Sequence, residues 1–332
     1  MPVFGLGKKT VSSSTGGARK QPAAPRRVLA DGDHVAAKLL MAADARDWPT
    51  IHDTLATFQG RDLSALTATM CARSAEVCDW LSQVARDGDD DFVSRLVMGA
   101  SKGSTAWRVR TGARAQHVSR EKFTEFHSLL RQAEEHLYEA AQLAPDAVAP
   151  WHFLIATGRG LEIGIEAIER RFEAVTTRCP GHFEAHFQML QCLCKKWSGS
   201  HERMHAFAEE ASRGPHWSTL ALLVPWAHLE RYLDLGGGEP GREYLGRPKV
   251  LAEIRDAADL TLGQPDYADP RAPFAAANLF AMAFSLARAW DEARTAFERT
   301  EAVVTERPWN YLNGRDQKVP YAQFRHFATK LG

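Results

Sequence analysis

The sequence predicts an all-α fold of antiparallel helical hairpins forming a short solenoid or bundle. Three observations carry that expectation. From Asp31 onward the apolar residues recur three and four positions apart, and no stretch shows the alternation of a strand. Pro145, Pro180 and Pro215 are spaced 35 and again 35 residues apart, a period that belongs to stacked helical repeats. The phase repeats with the period: Leu137, Phe172 and Phe207 stand eight residues before these prolines, and Leu154, Met189 and Val224 stand nine after them.

Taken in chain order, residues 1–30 are rich in Ser, Gly, Pro and Ala and carry Lys8, Lys9, Arg19, Lys20, Arg26 and Arg27 with no carboxylate. Such a composition buries too little apolar surface to offset the entropy of ordering, so a disordered basic arm is expected. The chain has 41 basic and 41 acidic residues, which leaves 35 against 41 beyond the arm and makes the body acidic. The arm could attract a weak electrostatic partner such as nucleic acid, although a solvated tail is the simpler reading.

Residues 31–332 read as one helical, repeat-like domain, with regular 35-residue units over about 130–230. "DHVAAKLLMAADARDW" places Val35, Leu39 and Ala42 on one face, and "WPTIHDTLATF" does the same with Ile51, Leu55 and Phe58. Further helices are expected at about 62–86, 90–110 and 119–143, the last capped by Ser119. Two more are expected at 200–213 and 216–234. "LGGGEPGREYLG" is read as a mobile connector. In "DGDDD" at 87–91 the carboxylates are read as opening a helix at Asp90 and not as a calcium loop.

Composition narrows the class. Hydrophobic residues are 45% and charged residues 25% of the chain, ordinary for a globular protein with a large core. The five cysteines at 71, 78, 179, 192 and 194 form no C-x-x-C pair, which points to reduced, buried thiols and a cytoplasmic setting. The start lacks the apolar core of a signal peptide. The run "LALLVPWAHL" is too short to cross a bilayer, so no membrane partner is expected.

Within the 35-residue units the chain resembles tetratricopeptide-like helical repeats. Trp151, Leu154, Phe172 and Pro180 follow that pattern's order, and Ala293 with Phe297 match its Ala-x-x-x-Phe pair. Departures are plain: His186 and Ala221 replace the early Trp, and Ile155, Leu190 and Pro225 replace the Gly after Leu. A second likeness lies in "KWSGSHERMHAFA", which resembles an uncharacterised bacterial, actinobacterial family with a K-W-x-G-S-x-E-x-M signature before a helix. That family implies a helical fold and supplies no catalytic residue.

His201, Glu202 and His205 spell H-E-x-x-H. Zinc hydrolysis needs two imidazoles one helical turn apart, a third ligand, and a glutamate beside the metal-bound water. Glu202 is the candidate base, and His201, His205 and either Glu230 or His228 are the candidate ligands. If the two helices fold back at Gly214–Pro215, residue 201 falls opposite about 229. Against this, Gly199 ends one helix and Ser200 caps the next, which leaves the motif on an exposed first turn. Arg203 sits between the histidines. The core face is Met204, Phe207, Ala208 and Ala211, with both histidines at its margin and Glu202 pointing away. Glu202 then partners the helix dipole.

No G-x-S-x-G elbow, phosphate loop or catalytic cysteine signature is present. Of the nine tryptophans, most are expected between neighbouring hairpins, while Trp151, Trp217 and Trp226 could line a groove for a peptide. The sequence therefore points to a non-catalytic protein–protein interaction module without a cofactor, its partner a protein or peptide of unknown identity. The alternative is a zinc-dependent hydrolase using 201–205.

Overall fold

The computed structural model describes residues 23–72, 75–87, 90–110, 119–197, 199–214, 217–312 and 316–332. The side chains of Ala75, Ala85 and Trp217 lie outside the described residues, as do Pro215 and residues 1–22 of the expected arm. Among the described residues the regular elements are helices, and the extended contact is one isolated parallel bridge between Arg26 and Val303. No helix among them is long and apolar enough to cross a membrane.

The helices are α1 (His34–Asp44), α2 (Trp48–Ala56), α3 (Gly60–Cys71), α4 (Ala75–Asp87), α5 (Phe92–Arg110) and α6 (Arg120–Leu143). They continue with α7 (Ala149–Gly160), α8 (Ile165–Thr176), α9 (Phe183–Cys192), α10 (His201–Arg213), α11 (Trp217–Leu220) and α12 (Leu223–Asp234). The last are α13 (Gly238–Leu245), α14 (Pro248–Leu260), α15 (Ala275–Leu286), α16 (Trp290–Arg299) and α17 (Lys318–Leu331).

Side-chain caps start several of them by satisfying amides that have no partner within the helix. Asp33 accepts from the amides of Val35 and Ala36 at α1, and Ser119 from that of Lys122 at α6. Asp91 accepts from the amide of Ser94 at α5, one residue after the expected Asp90. His182 caps α9 through Nδ1, which accepts from the Ala185 amide at 3.2 Å. Its Nε2 then carries the proton and donates to the Ser64 hydroxyl at 2.9 Å.

Three expected boundaries are corrected. The helix expected over 62–86 is two, α3 ending at Cys71 and α4 beginning at Ala75, with neither Gly nor Pro between them in the sequence to mark the break. The helix before Gly199 ends at Cys192, and residues 193–199 form a loop whose Gly199 amide returns to the Cys194 carbonyl. The Gly-rich stretch is helix α13 and not a connector. Gly236 and Gly237 supply the positive φ angles of its approach, and Tyr232 lies so close to Gly241 that a β-carbon there would fall 2.4 Å from the ring.

Two large apolar clusters and a small one of Ala106, Phe126 and Leu130 form the interior. One gathers Leu39, Ile51, Leu55, Leu66, Leu96 and Leu137 with other residues of α1–α7. The larger runs through α7–α17 and includes Leu190, Met204, Leu229, Phe280 and Trp309. Partly buried Trp151 packs against both.

Along the middle of the chain, α6 lies against α5 and α7, α8 against α7 and α9, and α9 against α12. A buried ion pair ties three of these together: Arg171 on α8 donates to both carboxylate oxygens of Glu134 on α6, at 2.6 and 3.1 Å, and to the Leu154 carbonyl of α7 at 2.6 Å. Phe172 and Phe207, one 35-residue period apart, meet edge to face at 5.7 Å.

The first described residues lie against the C-terminal segment. The Arg26 amide donates to the Ala302 carbonyl, the Val304 amide donates to the Arg26 carbonyl, and Arg325 of α17 reaches the Ala23 carbonyl. Residues 23–30 are thus docked on the body, and the expected arm boundary at 30 falls later than the first held residue. The segment after 304 packs on α15 and α16 of the same chain, with Trp309 donating to buried Asn278 at 2.7 Å.

Candidate functional site

The H-E-x-x-H motif opens α10 as the sequence implies. The Arg203 amide donates to Ser200 Oγ at 3.2 Å. Glu202 is exposed, and its own backbone amide with the Ser200 hydroxyl holds its carboxyl below the usual range. Arg203 pairs with Glu169 on α8. Met204 and Ala208 are fully buried, whereas Phe207 and Ala211 are half-buried.

Opposite α10 lies α12, but its register differs from the expected one. His201 bonds Asp234 at 2.8 Å, and the His205 ring meets the His228 ring at 4.7 Å. Residue 201 therefore stands about one helical turn farther along α12 than 229, because the short helix α11 lengthens the reversal after Gly214. His228 places Nδ1 against the Tyr244 hydroxyl at 2.7 Å and Nε2 against Glu253 at 2.9 Å. Tyr244 also reaches His205 Nε2 at 3.3 Å. Burial pushes both His205 and His228 down to about 4, so each imidazole is neutral near pH 7.

Glu230 is two residues from His228 and so points to the other side of α12. There it accepts from Gln191 and Tyr311 at 2.7 Å each and from Lys196 at 2.7 Å. Burial works against its charge, but Lys196 and the hydrogen bonds outweigh that and hold its carboxyl below the usual range. His205 and His228 thus share Tyr244, whereas His201 is engaged with Asp234 and Glu230 with Lys196, Gln191 and Tyr311. Among the described residues no group of three or more His, Cys, Asp or Glu side chains is arranged to hold a metal ion. Of the candidate zinc ligands His205 and His228 come together, while His201 and Glu230 are held elsewhere and Glu202 is exposed to solvent.

Of the three groove tryptophans, Trp151 and Trp226 have different ring partners. Trp226 is buried, edge-on to Phe187 at 5.1 Å and to Tyr311 at 5.3 Å, so it belongs to the core and not to a groove. Trp151 contacts Tyr138 at 6.1 Å between the two clusters. Trp217 opens α11, with its side chain outside the described residues.

What the structure does assemble is a cavity of about 360 Å³ where the ends of α5 and α7 meet the starts of α6 and α8. The loop after α9 closes its side with Lys196 and Trp197. Arg110 lies over the Trp197 ring at 4.9 Å and over Trp107 at 5.7 Å. Arg159 lies over Trp107 at 4.9 Å and over Trp197 at 5.4 Å, and the two indoles are edge to face at 5.8 Å. Phe123, Phe126, Ile165 and Ile168 make the apolar side. Gly160 is required at the wall, since a β-carbon there would stand 2.5 Å from Leu130 and 2.8 Å from Phe126.

The residues from Lys196 to Met204 have separate physical roles, two of them at the cavity. Lys196 neutralises buried Glu230, and Trp197 forms an aromatic wall. At Gly199 a β-carbon would fall 1.9 Å from the Leu193 carbonyl oxygen, so no other residue fits. Ser200 caps α10, Glu202 lies at its positive end, and Met204 is buried. Ser198, between them, lies outside the described residues. Sequence reading found the signature but missed Arg110, Arg159 and Trp107, which no local spacing connects to it. No protein-family model matches this chain, and no curated protein matches it.

Proposed function

We propose that the chain is a non-catalytic interaction module of tetratricopeptide-like hairpins that binds a segment of a protein partner. Support for the hairpin reading comes from the ordered neighbours α5 to α9 and from the contact of Phe172 with Phe207 one period apart. The observation that carries the binding reading is the cavity itself, whose walls hold the Arg and Trp side chains that dominate binding energy at interfaces. On this reading the tryptophan of the groove is Trp197, with Trp107 supporting the two arginines, in place of Trp151, Trp217 and Trp226.

The test is selection of peptides from a random displayed library on the full chain. Enriched peptides are expected to lose at least about tenfold in affinity against a Trp197→Ala, Arg159→Ala double variant that keeps its helical circular dichroism. Peptides that bind the variant equally well would refute the reading.

A further inference from the structure

Three cations, Arg110, Arg159 and Lys196, and one carboxylate, Glu162, line the cavity. Arg110 and Arg159 lie over the same two indole rings, so two guanidinium groups share one small volume. Behind aromatic walls like charges repel more strongly than in water. Burial and the neighbouring Arg159 both push the Arg110 pKa down. Among the described residues Arg159 forms no ion pair; Nη1 donates to the carbonyl and amide oxygens of Gln188, and its buried Nε has no hydrogen-bond partner. Lys196 adds a third cation at the rim, already committed to Glu230. Glu162 is the carboxylate among the lining residues, and its attraction on Arg110 ranks behind the repulsion from Arg159.

We propose that this cavity is an oxyanion site. It takes a phosphate or carboxylate group joined to an apolar moiety, with the anion between Arg110 and Arg159 and the apolar part against Phe123, Phe126, Ile165 and Ile168. Guanidinium forks match the oxygens of either group, and a compact anion between two such forks turns their repulsion into attraction. Stacking on Trp107 and Trp197 holds both guanidinium planes in place before the ligand arrives, so little side-chain freedom is lost on binding. The inference deepens the proposed function and rests on it only for the ligand's being part of a polypeptide; the preference for an anion rests on the cavity.

Titration of the full chain with phenyl phosphate, read by tryptophan emission and by calorimetry, tests it. Saturable binding is expected, with benzyl alcohol and benzylamine weaker by at least about tenfold. Arg159→Met should weaken phenyl phosphate at least about tenfold, while Arg159→Lys recovers part of the loss. If Arg159→Met does not fold, rising salt on the unaltered chain serves instead and should weaken phenyl phosphate but not benzyl alcohol.

Inorganic phosphate and the blocked dipeptide acetyl-Asp-Phe-amide separate the sources. Binding of the dipeptide supports a polypeptide ligand. Binding of phenyl phosphate without it keeps the oxyanion site and overturns the polypeptide reading. Equal binding of the uncharged alcohol, unchanged binding by a folded Arg159→Met, or no saturation by any anion to about 10 mM would overturn the proposal.

Discussion

At the residue scale, sterics and charge account for the residues of the short stretch from Lys196 to Met204. Gly199→Ala must displace the Leu193 carbonyl, 1.9 Å from the new methyl, and should cost at least about 3 kcal/mol in urea unfolding, against about 1 kcal/mol for Ser200→Ala at the cap. The Ser200 cap was legible, because Ser before a helix pattern has one local use. The Gly199 requirement was not, since it depends on how residues 193–199 fold back. Arg171 offers a second test. Arg171→Leu leaves the largely enclosed Glu134 carboxylate without its cation, with the Thr157 hydroxyl still donating to it, and a loss of about 3 kcal/mol is expected in urea unfolding. For the H-E-x-x-H residues the ion to look for is zinc. Metal analysis of the purified chain should find well under one equivalent, whereas about one zinc per chain, lost on His205→Ala, would contradict the reading of α10 as a capped helix.

At the element scale, helices were legible wherever apolar spacing ran unbroken, as in α5 and α6. They were misjudged where tertiary packing decided the boundary: 62–86 divides without a breaker residue, and Gly236 and Gly237 lead into α13, which Gly238 opens, instead of forming a loop. The α10–α12 register was missed by about a turn because α11 could not be told from α12 by periodicity. The docked segment 23–30 yields a prediction at this scale. Removing residues 1–22 should leave thermal stability nearly unchanged. Removing 1–30 also deletes the hydrogen bonds of Arg26 with Ala302 and Val304 and that of Ala23 with Arg325. At about 0.5–1.5 kcal/mol each, that loss should appear as a clear fall in melting temperature. Equal melting of the two truncations would show that the segment contributes nothing.

At the scale of the whole molecule, acid sensitivity follows from buried neutral histidines. Burial pushes His182, His205 and His228 from the ordinary 6.5 to about 4, and His152 well below its ordinary value. The unfolded chain therefore binds more protons than the folded one between about pH 6.5 and 4. Stability is at its full value above 6.5 and falls through that window, by about 1.4 kcal/mol per pH unit for each fully shifted histidine. Urea midpoints at pH 7 and pH 5 should differ clearly; equal midpoints would contradict the burial of these rings.

The cavity was the least legible feature, because Arg110, Phe123, Arg159, Ile165 and Trp197 meet only after five helices have packed. Its role as the binding surface is the central claim, and hydrogen exchange of the full chain with and without a selected peptide tests it most directly. Added protection is predicted at the end of α5, over residues 159–168 and over 192–197. Protection centred instead on Trp151 or on α17, with these segments unchanged, would contradict the account.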